Sequence, residues 1–121
     1  MVKVGLVGLG KMGQTHLGKY DVMKGIRVTA VADADEDRVE EVVETHSAGK
    51  DRPAPEGFTD AVEMMDNADV DAVDLCLPTP VHAKLCKEGL SRGKHVLCEK
   101  PMALTSEECD ELLKAAKDSS G

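Results

Sequence analysis

Six residues of this 121-residue chain have the types and spacing that chemistry needs: Gly8, Gly10, Gly13, Asp33, His82 and Lys100. The three glycines sit in "GLVGLGKMGQTH" with G-x-G-x-x-G spacing. Between a strand and a helix, each has a job. Gly8 permits a tight turn, Gly10 lets backbone approach a diphosphate, and Gly13 lets the helix pack close to the strand. The amides of Leu9, Gly10, Lys11, Met12 and Gly13, at the positive end of that helix, are the candidate donors to the diphosphate. Asp33 lies 33 − 13 = 20 residues beyond Gly13, at the end of the apolar run "VTAVAD". A carboxylate there accepts from both ribose hydroxyls of an adenosine and repels a 2′-phosphate, which favours NAD over NADP. Asp35, Glu36 and Asp37 deepen the negative field. Arg38, the nearby cation, is expected on the outer side of the next helix. The alternative for Asp33 is a helix cap and nothing more.

Two further stretches fall where ligands lie in an α/β sheet, outside the carboxyl ends of strands. "CLPTPVHAK" places Leu77, Pro78, Thr79 and His82 along such a crevice, although a histidine in the first turn of a helix can also face solvent. His82 and Cys86 are four apart, a metal-ligand spacing, but two ligands make no site and no third candidate is evident, so no metal is expected. "HVLCEKPMALT" puts Glu99 and Lys100 at the end of a strand. Glu99 joins the cofactor-facing set. A partly buried Lys100 can hydrogen-bond a substrate hydroxyl; the alternative is a solvated loop lysine before a proline.

The elements that must position these groups follow from periodicity. Val2–Val7 reads as a buried strand closed by glycines. Met12, His16, Leu17 and Tyr20 recur at helical spacing, with Gly25 as the C-cap. Ile26–Asp33 is a second, nearly continuous apolar strand, and Val39, Val42, Val43 and His46 stripe a second helix. "SAGKDRPAPEG" is a loop, followed by a short strand around Phe58 and Thr59. Asp60 and Glu63 have capping-box spacing, as do Thr105 and Glu108. "VDAVDLCLP" and "KHVLCE" are strands four and five, with the helix "VHAKLCKEGLSRG" between them, and Cys109, Leu112, Leu113 and Ala116 stripe the last helix. Five strand–helix alternations predict a doubly wound (Rossmann) α/β fold, a parallel sheet with helices on both faces, in one dinucleotide-binding domain over 1–121. Another strand is expected to follow, so the chain reads as the N-terminal part of a larger protein.

Composition narrows the partners. The net charge of −8 argues against nucleic acid and anionic membranes. Aromatics are only Tyr20 and Phe58, which gives no stacking platform for single strands. No run approaches the ~20 apolar residues of a membrane span. The first residues enter a strand pattern with no signal-peptide layout, so the expected location is cytoplasmic. Cys76, Cys86, Cys98 and Cys109 form no CxxC pair and read as reduced thiols.

Taken together, "GLGKMGQTH", "VAD", "PTPVH" and "GKHVLCEKPMALTSEE" resemble the nucleotide-binding domain of the glucose–fructose oxidoreductase and inositol dehydrogenase family, from Val2 to about Lys117. The GKHV–EKP stretch is the most specific element of the likeness. Many members carry T-P-N-x-x-H where this chain has the shorter Thr79-Pro80-Val81-His82. The resemblance implies hydride transfer between a nicotinamide and a sugar, polyol or related hydroxy compound, with Lys100 polarising the reacting hydroxyl. It also implies a second α/β domain that supplies the substrate pocket and often a homo-oligomer interface. The competing readings are a stand-alone module that binds or senses a dinucleotide without catalysis, and a domain for another adenosine ligand such as S-adenosylmethionine. The full glycine fingerprint with a distal Asp disfavours the last.

Overall fold

The computed structural model describes residues 1–47, 53–98 and 105–121. Strands β1 (Val2–Val7), β2 (Ile26–Ala32), β3 (Glu56–Phe58), β4 (Ala72–Leu75) and β5 (His95–Cys98) alternate with helices α1 (Lys11–Val22), α2 (Glu36–Ser47), α3 (Ala61–Asn67), α4 (Thr79–Ser91) and α5 (Ser106–Asp118). The strands form one sheet in the order β3-β2-β1-β4-β5, and every neighbouring pair is parallel. The order reverses at β1, so the carboxyl ends of β1, β2 and β4 flank the crevice that doubly wound sheets offer to ligands.

Two apolar clusters cover the two faces. Val4, Leu6, Val28 and Val31 pack with Leu17 of α1 and Val39 and Val42 of α2. Val7, Ala30, Ala32, Val73 and Leu75 pack with Met64 and Met65 of α3, Ala83 and Cys86 of α4, and Leu112 of α5. Strict alternation would put Val28 and Ala30 on the same face. They part because the register slips at Thr29: Val4 faces Val28 and Gly5 faces Ala30, so one extra residue turns the rest of β2 over. That slip delivers Ala32 and Asp33 to the crevice.

Several boundaries differ from the sequence reading. Helix α1 ends at Val22 with Met23 as its C-cap; Gly25 instead makes the turn into β2, where its carbonyl accepts from Val2 N–H. The third strand is centred a residue or two earlier than expected, and α4 begins two residues earlier, at Thr79. The Gly93 ending of α4 is as expected. Gly93 (φ +71°) donates to Leu90 O and Lys94 to Gly89 O, the paired bonds of a Schellman ending. No described helix is long and apolar enough to cross a membrane.

Candidate dinucleotide site

Each glycine of the loop is held differently. Gly8 has φ +92°, a conformation L side chains rarely adopt, and a Cβ there would lie 2.3 Å from Cys76 O. A Cβ on Gly13 would lie 1.8 Å from Gly8 O, so this glycine sets how closely α1 meets the loop. Gly10 differs. Its backbone is extended (φ −74°), and a Cβ would meet only Arg38 Nη1 at 3.8 Å. The fold does not require a glycine at position 10, so the open space above it is a cradle that a side chain would fill.

Helix α1 begins at this loop with no side-chain cap and no acidic residue in its first turn. Its first N–H groups have no partner within the helix, which is the arrangement that holds a diphosphate. One expected donor is corrected: Leu9 gives its N–H to Asp33 Oδ2 at 2.8 Å, and its side chain is fully buried. Leu9 therefore ties the loop to the end of β2, leaving Gly10, Lys11, Met12 and Gly13 as the candidate donors. Gln14 Nε2 donates to Leu9 O at 3.0 Å and fixes the loop from the helix side.

Asp33 follows β2, and its N–H donates to Phe58 O. Its Oδ1 accepts from Asp35 N–H at 2.8 Å. Asp35 Oδ1 accepts from Asp37 N–H, so the residue at the start of α2 is Asp35 and the capping alternative for Asp33 does not hold. A carboxylate has about four acceptor sites, so two remain after these bonds. Arg38 does not point outward as expected. Its guanidinium lies 4.0 Å from Asp33 Oδ2 and 3.7 Å from Asp35 Oδ2, about half exposed, at the mouth of the crevice. Beside it, a cleft of about 350 Å³ is lined by Val7, Ala32, Asp33, Leu77 and Lys84, among others.

Leu77 and Pro78 leave β4 toward the same crevice, and Pro78 is the N-cap of α4. The Thr79 backbone opens the helix; its side chain, together with Glu99 and Lys100, lies outside the described residues. His82 is 2% exposed, which rules out the solvent-facing alternative.

Sequence reasoning named Arg38 without its contact to Asp33, and it missed one buried cluster. Asp74, in the middle of β4, is 1% exposed on the face covered by α1. Its Oδ2 lies 2.7 Å from His16 Nδ1 and accepts from Tyr20 OH at 2.8 Å; Cys76 Sγ lies 3.3 Å from His16 Nδ1 and 3.5 Å from Asp74 Oδ1. Burial and the adjacent carboxylate push the Tyr20 hydroxyl well above its ordinary range. The signal was an aspartate inside the apolar run "AVDLCL".

A doubly wound sheet, a glycine loop at its switch point and an acidic residue after β2 define a dinucleotide-binding domain. The chain belongs to the GFO/IDH/MocA family, whose model, described as "Oxidoreductase family, NAD-binding Rossmann fold", matches residues 2–121. It is 31% identical over 121 residues to the alpha-N-acetylgalactosaminidase of Shewanella oneidensis, covering 97% of this chain and 26% of that protein. Among solved structures it resembles scyllo-inositol dehydrogenase from Lactobacillus casei with bound NAD(H) and scyllo-inositol (TM-score 0.85, 26% identity, 98% of this chain and 33% of that one). It also resembles myo-inositol 2-dehydrogenase from Lactobacillus plantarum (TM-score 0.86, 26% identity, 98% and 33%). The chain thus spans about a quarter to a third of the proteins it matches. It is an NAD-binding domain of this oxidoreductase family.

Proposed function

We propose that this domain serves an oxidoreductase that moves a hydride between NAD and a carbon bearing a hydroxyl on a sugar, polyol or related compound. The observation that carries the reading is Gly10, a glycine with no structural need for its missing side chain, at the uncapped start of α1. The amides of Gly10, Lys11, Met12 and Gly13 hold the diphosphate. The free acceptor sites of Asp33 take the ribose hydroxyls and make NAD(H) the preferred form over NADP(H). Leu77, Pro78, Thr79, His82 and Glu99 are assigned to the cofactor crevice. The nicotinamide supplies or accepts the hydride, and Lys100 polarises the reacting hydroxyl. A second domain following this N-terminal part encloses the substrate, and the enzyme works in the cytoplasm as a homo-oligomer. The inositol dehydrogenase neighbours support the polyol class. The galactosaminidase relative carries a hydrolase name, so glycoside chemistry is the second substrate reading.

Calorimetric titration tests the cofactor assignment. NADH is expected to bind more tightly than NADPH. Asp33→Ala should weaken NADH by ~1–3 kcal/mol through loss of a hydrogen-bonded charge. It should also narrow the gap to NADPH, because Arg38 is then released from its carboxylate. Equal affinities, or an NADPH preference in the unmodified chain, would overturn the role given to Asp33. The 121-residue chain alone is expected to bind cofactor without turnover, since the substrate carbon must be held about 3–3.5 Å from the nicotinamide and this domain cannot enclose a sugar. Steady NADH production with any sugar or polyol, lost on Lys100→Ala, would show that the second domain is dispensable.

A further inference from the structure

We propose that His16, Asp74 and Cys76 form a site for a borderline-soft divalent cation, Zn²⁺ foremost, that pins α1 to β4 behind the glycine loop. One nitrogen, one oxygen and one sulfur donor converge here, the three ligand types zinc takes in proteins. All three donor atoms lie within 4.8 Å of one another, and this is the only such group among the described residues.

A Cys, a His and an Asp in contact could instead suggest a nucleophile with its base. The geometry argues against that. A proton relay from thiol to imidazole to carboxylate uses one ring nitrogen on each side. Here the contacts of His16 to Asp74 and to Cys76 both run through Nδ1. The donors point at a shared centre rather than along a line.

The distances fit a metal. Tetrahedral zinc, with bonds of about 2.0–2.1 Å to nitrogen or oxygen and 2.3 Å to sulfur, holds its ligands about 3.3–3.6 Å apart. Cys76 Sγ lies 3.3 Å from His16 Nδ1 and 3.5 Å from one carboxylate oxygen of Asp74, Oδ1, so either oxygen of this carboxylate is a candidate ligand. The edge from His16 Nδ1 to the other oxygen, Oδ2, is 2.7 Å and would open by roughly 0.6 Å if Oδ2 is the ligand. Asp74 and a Cys76 thiolate together carry two negative charges, so a divalent cation leaves this buried place neutral. On binding, Cys76 releases its thiol proton to solvent, the proton that His16 Nδ1 holds toward Asp74 exchanges through solvent to Nε2 so that Nδ1 can bind the cation, and no atom changes oxidation state. The His16 side chain is 14% exposed, so the cluster reaches solvent at this residue. Tyr20 OH donates to Asp74 Oδ2 and holds the carboxylate in place, as partners of metal-bound carboxylates do.

The test is titration of the chelator-treated chain with Co²⁺ and then Zn²⁺, and it does not depend on the cofactor reading. One Co²⁺ per chain is expected, with tetrahedral visible bands and a thiolate-to-cobalt charge-transfer band. The charge-transfer band should vanish in Cys76→Ser and persist in Cys109→Ser. Zn²⁺ should displace the cobalt and raise the melting temperature. Tyr20→Phe should weaken binding roughly 10–100-fold. X-ray absorption of the Zn²⁺-loaded unmodified chain covers the case in which a variant fails to fold. One sulfur at about 2.3 Å with nitrogen or oxygen in the remaining positions is the expected shell. No charge-transfer band in the unmodified chain, a band that survives Cys76→Ser, or a shell without sulfur or with two or more would each overturn the site.

Discussion

Helix α1 is held at two places by opposite means. Its first turn is positioned by residues without side chains: Gly8 and Gly13 bring backbone against backbone, and a single Cβ at Gly13 would collide with Gly8 O at 1.8 Å. Its middle is held by polar side chains: His16 and Tyr20 reach across to the buried Asp74. The first attachment is compact in sequence and leaves amides open for a ligand. The second joins residues 58 and 54 positions apart and closes on itself. One end of the helix is thus left uncapped by any side chain, while its middle is closed on a carboxyl group fixed in the protein.

The sharpest way to break the comparison is to add side chains at the first attachment. Gly13→Val is expected to destabilise the chain by more than about 4 kcal/mol, because the neighbour it meets is backbone and cannot rotate away. Urea denaturation measures this. A loss below ~1 kcal/mol would mean that α1 can shift on the sheet, and that its N-terminus is not fixed by the loop.

Gly10→Val in the same loop separates ligand from fold. Valine there meets open space, and the extended backbone suits it, so stability should change by no more than about 1 kcal/mol, the scale of an N-cap substitution. NADH binding should be lost, because the added branch occupies the cradle. Calorimetry on the folded variant reads the result, and unchanged affinity would move the diphosphate away from this loop.

The two attachments also differ in how far they could be read from sequence. The glycine loop was legible because strand, glycines and helix are consecutive, and Gly8 and Gly13 answer local steric demands. Asp60 and Gly93 were legible for the same reason: a cap acts within a few residues, as in the bonds from Val62 and Glu63 N–H to Asp60 Oδ1. The Asp74 cluster was not, because its partners come from another element and alternation along a strand says only which face a residue takes. Arg38 was misplaced for a related reason. Helical periodicity puts it on an exposed side of α2, but a long side chain at a helix start can fold back to the acidic residues before it. The Leu9–Asp33 bond lay beyond the pattern too, since the fingerprint names both residues without saying that they meet.

The smallest expected effect, and the most specific to the second attachment, is that of Tyr20→Phe in chelator-treated protein. The variant removes the donor to Asp74 Oδ2 and keeps the ring, so at neutral pH it should cost about 1–1.5 kcal/mol. Its pH dependence has a definite sign. The folded state holds the Tyr20 proton to a higher pH than the unfolded chain, chiefly through burial and then through Asp74. The stabilisation is therefore fully present below the unfolded tyrosine value of about 10 and is lost as pH rises above it. Phenylalanine has no such proton, so the stability gap between the two proteins should narrow between about pH 9 and pH 11. Cys86 also titrates late, its thiol pushed up to about 12 mainly by burial and then by Cys98, but it is common to both proteins and cancels in the difference. Chemical denaturation at a series of alkaline pH values measures the gap. A gap that stays constant or widens would mean that the Tyr20 hydroxyl is free in solution and that the middle of α1 is held by His16 alone.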